Sequence, residues 1–377
     1  MGGDPARALA PREVALLNRA SAFDPGHTLV HLAIRFQRQD ILSMLLSRIS
    51  GGGPGLKRSP SYIAPDLAAG IRRHVAASVR HKKGNFPARY LNEFCTFSLP
   101  PEIEELPAAI QEQLFGELLD RDAQAALEAD PPRINWSREL TVDLGSRLYA
   151  LWNRSAGDCL PDAVLQAAYG VFDRGNCLRI ALADTLHHAF FDRWVQWERL
   201  QAAALHYAPE EAQLRAEWGR LTAAAKQILA IFTSLKYMEN PSFAGVKIGI
   251  CKNPLPPGVY LPLLWEPGFC SQSPLCVGYT RGHFSALVPL EPYDHREQQE
   301  DTEETTFLPL TDSEGKLLPV HFLTCDEMSD EEAVLRRWLS TGVSRGGALC
   351  ARQRLHARPL LQAQMLEEWL NHYRRLA

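Results

Sequence analysis

The sequence of 377 residues holds only eight cysteines, and no two of them form a Cys-x-x-Cys pair. Structural zinc sites depend on such pairs, and disulfide scaffolds need a higher density of cysteine, so both classes are excluded. The one glycine-rich loop near a lysine, at 51–58, lacks the glycine directly before the lysine that a P-loop requires. We therefore expect no metal site and no cofactor, and we expect most of the cysteines to be reduced and buried.

Long apolar runs are also absent. The stretch Val259 to Trp265 contains a proline and is far shorter than the roughly 20 residues that a membrane span needs. The N-terminus has no apolar segment behind its basic residues, so no secretory signal is predicted. We expect a soluble protein with no membrane partner. Its expected location is the cytoplasm, and the nucleus is a second candidate location.

Charge is unevenly distributed along the chain. Residues 1–98 carry a net charge of +8 and residues 99–377 a net charge of −12, and the change falls at Pro100 and Pro101. This shift predicts two units, 1–98 and 99–377. No stacking aromatics interleave with the basic residues of the first unit, so no nucleic-acid partner is expected there. A solvated helix face, or a surface that meets the acidic second unit, is favoured instead.

The first unit carries an ankyrin-like pattern. Thr28, His31 and Ala33 come close to the Thr-Pro-Leu-His-x-Ala signature, in which the threonine and histidine stabilise the turn and the alanine lets helices pack closely. A second helical stretch is predicted over 67–79, without a repeat consensus of its own. We predict a small all-α ankyrin-like domain.

Residues 99–377 contain mostly helices first and then mostly strands, an order that indicates an α+β fold. Helices are predicted over 110–128, from Cys159 to Gly170, and from 177 to about 232, with two late ones at 331–340 and 359–375. The strand-like segments are 246–251, 259–264, 275–280, 283–290, 306–310 and 320–323.

Cys159 follows Gly157 and Asp158 at the predicted start of a helix whose only charged residue is Asp162. The partial positive charge of a helix start stabilises a thiolate, and Gly157 allows a tight turn that can present backbone amides to a carbonyl oxygen. Any single cysteine is more often a small buried hydrophobe. The Gly-Asp-Cys-helix context favours a nucleophile over that alternative.

A cysteine nucleophile needs a base, and His283 is the best candidate among twelve histidines. Arg281-Gly282 predicts a tight turn, so His283 would begin the second strand of a hairpin and point away from the face that carries Phe284. The alternative is a histidine that ends a hairpin and has no catalytic role. Sequence separation hides any contact with Cys159, so this alternative stays open.

Several motifs together resemble the ovarian-tumour (OTU) deubiquitinases of the A-twenty-like branch. They are RLYALWNRSAGDCL, GVYLPLLWE and GYTRGHFSALV, with LLDRDAQ, INWSREL and the ankyrin-like FDPGHTLVHLAIRFQRQDILSMLL upstream. The resemblance covers most of the chain. It implies a papain-like catalytic domain with a core at about 145–290, preceded by an ankyrin-like ubiquitin-binding domain. The implied partners are ubiquitin, polyubiquitin chains and ubiquitinated proteins.

The resemblance also implies roles for individual residues. Cys159 would be the nucleophile and His283 the general base, and Asp120 matches an acidic residue that orients the histidine, although a solvated helix carboxylate is an equal alternative. Gly157 and Asp158 would shape the oxyanion loop. Asn153 and the aromatic residues Trp152 and Trp265 are candidates for lining the cleft, although large aromatics more often serve packing.

Two departures from the family pattern remain. The zinc-finger repeats that such a protein carries before its ankyrin module have no counterpart here. The segment 219–257 differs from the helix and core strand expected at that place, although 246–251 alternates as a replacement strand would. Because the segment 219–257 departs from the family pattern, an alternative function is a ubiquitin-binding scaffold that has lost activity.

Overall fold

The computed structural model forms two compact units, Met1–Lys57 with Gln227–Ala244, and Arg58–Lys226 with Gly245–Ala377. The residues that the structure describes are 9–16, 29, 33, 38, 41, 57–81, 96–154, 159–185, 188–204, 206–226, 258–261, 270, 272–280, 283–291, 304–323, 327–328, 330–355 and 358–377.

The smaller unit is described at the helix α1, Pro11–Leu16, and at a few single residues. Glu13 accepts a hydrogen bond at 2.9 Å from the backbone N–H of Ala10, just before α1, and so binds a donor that the helix itself leaves unpaired. Ala33 is buried, as expected for the small residue of an ankyrin-like helix. Thr28 and His31 lie outside the described residues.

The larger unit contains helices of one to five turns. They are α2 Pro60–Ile63, α3 Pro65–His81, α4 Ala108–Leu118, α5 Arg121–Glu128, α6 Cys159–Tyr169, α7 Cys177–Thr185, α8 His188–Ala204, α9 Glu211–Lys226, α10 Glu331–Trp338 and α11 Leu360–Arg374. A 3₁₀ turn covers Pro101–Glu105 and a π turn covers Glu139–Asp143. No described helix has both the length and the apolar character needed to cross a bilayer.

The described strands form three sheets. They are β1 Leu148–Ala150, β2 Val259–Tyr260, β3 Cys276–Thr280, β4 His283–Pro289, β5 Glu304–Pro309, β6 Val320–His321, β7 Thr341–Val343 and β8 Leu349–Leu355. One antiparallel sheet has the order β1-β4-β3 and another the order β5-β8-β7, while β2 and β6 pair in parallel. In the first sheet Ala150 lies opposite Leu287, and Thr280 lies opposite His283.

Helix α6 lies at the centre of the packing. One side joins a cluster with β4 and with Trp369 and Tyr373 of α11, and the other joins a cluster with α3, through Leu165, Ala68 and Ile71. Gly170 follows the last residue of the helix and has a φ of +68°. A Cβ added at this position would lie only 2.4 Å from the Phe97 ring. Only glycine fits that position without a shift of the ring.

The α+β class is confirmed, and the predicted helices from Cys159 and over 331–340 and 359–375 are found to within two residues at each end. The single helix predicted over 110–128 is wrong. The chain leaves the helix at Leu119 because Leu119 pairs with Leu151, and Asp120 donates its backbone N–H to Ala150 O at 3.0 Å. The predicted strand 246–251 and most of 219–257 lie outside the described residues.

Helix α3 belongs to the larger of the two units. Helix α3 packs with α7, α6 and α11, so residues 65–81 are part of the core of the larger unit. The functional domain boundary predicted at residue 98 stays a prediction.

Strands β1, β7 and β8 were not predicted from the sequence.

Candidate active site

Helix α6 begins at Cys159, as predicted. Pro161 is tolerated because a residue in the first turn has no intrahelical N–H bond to lose. The Cys159 side chain is 9% exposed and lies in the same cluster as Ala163, Phe284 and Ala286. The cysteine therefore lies at the start of a buried helix whose packing partner is strand β4.

Strand β4 begins at His283, which confirms the hairpin predicted from the sequence, although the turn residues 281 and 282 lie outside the described residues. The strand is central in its sheet, and all of its residues after His283 are buried. Burial lowers the pKa of His283, and the negative charges of Asp120 and Asp162 oppose this effect. The histidine is thus attached to a rigid strand and is close enough to two carboxylates to respond to their charge.

Asp120 is the N-cap of α5, where its side chain accepts a hydrogen bond at 3.0 Å from Ala123 N. The backbone pairing of Leu119 with Leu151 holds this cap beside the extension of β1. Asp120 as a residue is half-buried, and its charge raises the pKa of His283. The structure thus brings Asp120 into the electrostatic surroundings of His283, and its role as the third catalytic residue stays a prediction.

Asn153 connects the helix and the strand. Its Nδ2 donates to the carbonyl oxygen of Cys159 at 3.3 Å and to that of Phe284 at 2.7 Å. The residue is 1% exposed, and its Oδ1 is buried without a hydrogen-bond partner among the residues that the structure describes. One amide nitrogen therefore fixes the backbone of the candidate nucleophile relative to the residue that follows His283.

Trp152 packs edge-on against Phe172, with ring centroids 6.0 Å apart, which agrees with the packing alternative. Gly157, Asp158 and Trp265 lie outside the described residues.

Sequence reasoning missed a buried polar network next to the candidate nucleophile. Arg154 donates twice to Asp162, at 2.7 Å each, and Asp162 also accepts from Asp173 N at 2.7 Å. Burial raises the pKa of Asp162, and the ion pair with Arg154 opposes that rise. Asp162 as the only charged residue of α6 was a visible signal, but its partner on the preceding segment could not be read from the sequence.

No group of three or more His, Cys, Asp or Glu side chains within the described part of the chain is arranged to hold a metal ion. A cysteine at the start of a helix, packed on a strand that begins with a histidine, is instead the arrangement typical of thiol-dependent hydrolases of the papain-like type.

The comparisons with known proteins agree with this class. Residues 1–53 match the family model of the ankyrin ubiquitin-binding domain. The whole chain is 55% identical over 396 residues to ubiquitin thioesterase trabid of Drosophila melanogaster, and the match covers 100% of this chain and 50% of the fly protein. The resemblance inferred from the motifs is therefore confirmed, and the chain is a homologue of that thioesterase. It spans about half the length of this curated relative.

Proposed function

We propose that the chain is a deubiquitinase, a cysteine isopeptidase that hydrolyses the bond between the ubiquitin C-terminus and a lysine in polyubiquitin chains. The observation that carries this proposal is the placement of Cys159 at the first residue of α6, packed on the strand that begins with His283. The similarity to a ubiquitin thioesterase supports the choice of substrate.

The reaction proceeds in two halves. His283 takes the proton of the Cys159 thiol, and the sulfur attacks the carbonyl carbon of the isopeptide bond. The C–N bond breaks as the imidazolium gives its proton to the lysine amine, which leaves ubiquitin as a thioester on Cys159. Water then loses a proton to the same imidazole and attacks the thioester, and the C–S bond breaks to restore the thiol.

The surroundings of His283 suit both of its tasks. Burial lowers its pKa, so a neutral imidazole is available to accept a proton near neutral pH. The charges of Asp120 and Asp162 limit this lowering and stabilise the imidazolium that forms during the reaction. Backbone amides at Gly157 and Asp158 remain the predicted donors to the oxyanion.

The N-terminal unit would contribute ubiquitin binding. Its support is the match of residues 1–53 to the ankyrin ubiquitin-binding family. A second ubiquitin held there while the first occupies the catalytic site would favour chains over single conjugates. The location that we propose for this activity is the cytoplasm, with the nucleus as the alternative, and imaging of the tagged chain tests it.

A ubiquitin derivative with a C-terminal propargylamide tests the nucleophile directly. We expect the full chain to form a covalent adduct and Cys159→Ala to form none. Cys177→Ala is the matched control, because Cys177 also begins a helix and is more exposed than Cys159. This control should react like the wild type.

Chain cleavage and ubiquitin binding should be measured on the same preparation. The proposal predicts cleavage by the wild type, and binding without cleavage by Cys159→Ala. Binding without cleavage or labelling by the wild type would instead support the scaffold alternative, and labelling of Cys159→Ala would show that another residue is the nucleophile.

A further inference from the structure

We propose that Arg154 and Asp162 form a clamp that positions the first turn of α6, and with it Cys159, for catalysis. Neither residue would touch the substrate, and both would act through the backbone at the start of α6. The inference rests on the proposed function, because it assigns positioning residues to that reaction.

The clamp is a two-bond ion pair. Nε and Nη2 of Arg154 each donate to one oxygen of the Asp162 carboxylate at 2.7 Å. Asp162 is fully buried and the Arg154 side chain is 17% exposed. A planar guanidinium held by two parallel bonds fixes orientation as well as distance, which a lysine ammonium cannot do.

The pair is itself held by the turn that precedes α7. Asp173 donates its backbone N–H to Asp162 at 2.7 Å, and its carbonyl oxygen accepts from Arg154 Nη2 at 3.2 Å. The Asp173 side chain accepts from the N–H groups of Leu178 and Arg179 at 2.9 and 3.1 Å. The clamp is therefore anchored to the start of a second helix as well as to α6.

A second tie crosses the same stretch of chain. Asn153 Nδ2 binds the Cys159 carbonyl, while its neighbour Arg154 reaches one turn further along α6 to Asp162. The two ties hold Asn153 and Arg154 against the first turn of α6. Cys159 therefore has little freedom to move relative to them, which suits a site whose nucleophile must be in place before the substrate arrives.

A purely structural ion pair is the competing explanation. Buried ion pairs often contribute little to stability compared with apolar residues of the same shape. A structural pair would change the amount of folded protein but not the turnover of molecules that remain folded. A positioning pair lowers kcat in folded protein and leaves KM nearly unchanged, since substrate binding does not require an aligned nucleophile.

Arg154→Lys separates these explanations, because lysine keeps the charge and loses the fork. With a fluorogenic ubiquitin C-terminal amide, at a temperature where thermal denaturation shows every variant folded, we expect kcat to fall at least about tenfold and KM to change less than about twofold. Arg336→Lys is the matched control, because Arg336 also donates Nε and Nη2 to one carboxylate, that of the exposed Glu332. Its kcat should equal that of the wild type.

Hydrogen exchange supplies a readout that does not depend on activity. In Arg154→Lys and in Asp162→Asn, we expect faster exchange in peptides covering 153–162 and unchanged exchange in β4. Unchanged kcat in Arg154→Lys, or unchanged exchange in 153–162, would overturn the clamp. A wild-type chain that neither hydrolyses nor labels would overturn the proposed function instead, and the exchange result would still decide whether the clamp holds the segment.

Discussion

Two helices of the larger unit begin with a cysteine, and their surroundings differ. Cys159 at the start of α6 is buried next to β4. Cys177 at the start of α7 is partly exposed, with Sγ 4.0 Å from Arg174 O. At α7 the carboxylate of Asp173 accepts from the Leu178 and Arg179 amides, so the helix start already holds an anion.

A helix start therefore does not by itself define a nucleophile. Both cysteines have the favourable helix position, which stabilises negative charge at the first turn. Only the helix of Cys159 packs on a strand that begins with a histidine, and only its backbone is tied to that strand through Asn153. A base on a rigid neighbour is what distinguishes the two sites.

The difference between the two cysteines is tested most directly at the histidine. His283→Gln removes the base and keeps a polar side chain of similar size, so we expect kcat to fall by about 10²–10⁴-fold. Turnover of a fluorogenic ubiquitin amide measures the loss. His74→Gln on the exposed face of α3 is the control and should leave kcat unchanged.

A fall of less than about threefold in His283→Gln, in folded protein, would contradict the assignment of the base. It would make the packing of α6 on β4 a structural feature alone. Retained ubiquitin binding by the variant would show that its cleft is intact.

The two helices should also differ in what they contribute to stability. Leu165 of α6 is 2% exposed and Leu182 of α7 is 41% exposed. Leu165→Ala leaves a cavity between α6 and α3, and we expect the free energy of unfolding to fall by about 2–5 kcal/mol. Leu182→Ala removes the same atoms from a largely hydrated position and should cost less than about 1 kcal/mol.

Urea denaturation of both variants measures this difference. Equal losses at the two positions would show that α7 is as deeply packed as α6, and the contrast between the helices would then rest on the histidine alone.

The parts of the site set by local signals were predictable. A glycine and an aspartate before Cys159, Pro161 in the first turn and Gly170 at the end define helix α6 within a few residues. An Arg-Gly pair between two β-rich segments places His283 at a strand start. Such signals depend only on residues close in sequence, so they can be read without the fold.

The parts set by distant contacts were not predictable. Helical periodicity runs through 110–128, and only the pairing of Leu119 with Leu151 ends the helix and turns Asp120 into a cap. Strand β8 alternates between buried Gln353 and exposed Arg352 and Arg354, a short pattern that becomes clear only beside β5 and β7. The fork of Arg154 on Asp162 likewise depends on the packed position of α6.

The smallest expected effect concerns the charge near His283. Asp120→Asn keeps the cap, because asparagine is as good an N-cap as aspartate, but it removes a negative charge that raises the pKa of His283. The pKa of His283 should therefore fall, and the imidazolium should be lost at lower pH. Neutral His283 is the form that accepts the Cys159 proton, so we expect the acidic limb of the profile of kcat/KM against pH to move to lower pH by up to about one pH unit.

Asp330→Asn is the matched control, because Asp330 caps α10 by accepting from Ala333 N at 2.9 Å, as Asp120 does from Ala123 N on α5. Its pH profile should follow that of the wild type. Asp162 also acts on His283 and keeps its charge in both variants, so the shift measures Asp120 alone. An unmoved acidic limb, or one that moves to higher pH, would show that Asp120 serves only as a helix cap and that the difference between Cys159 and Cys177 does not involve it.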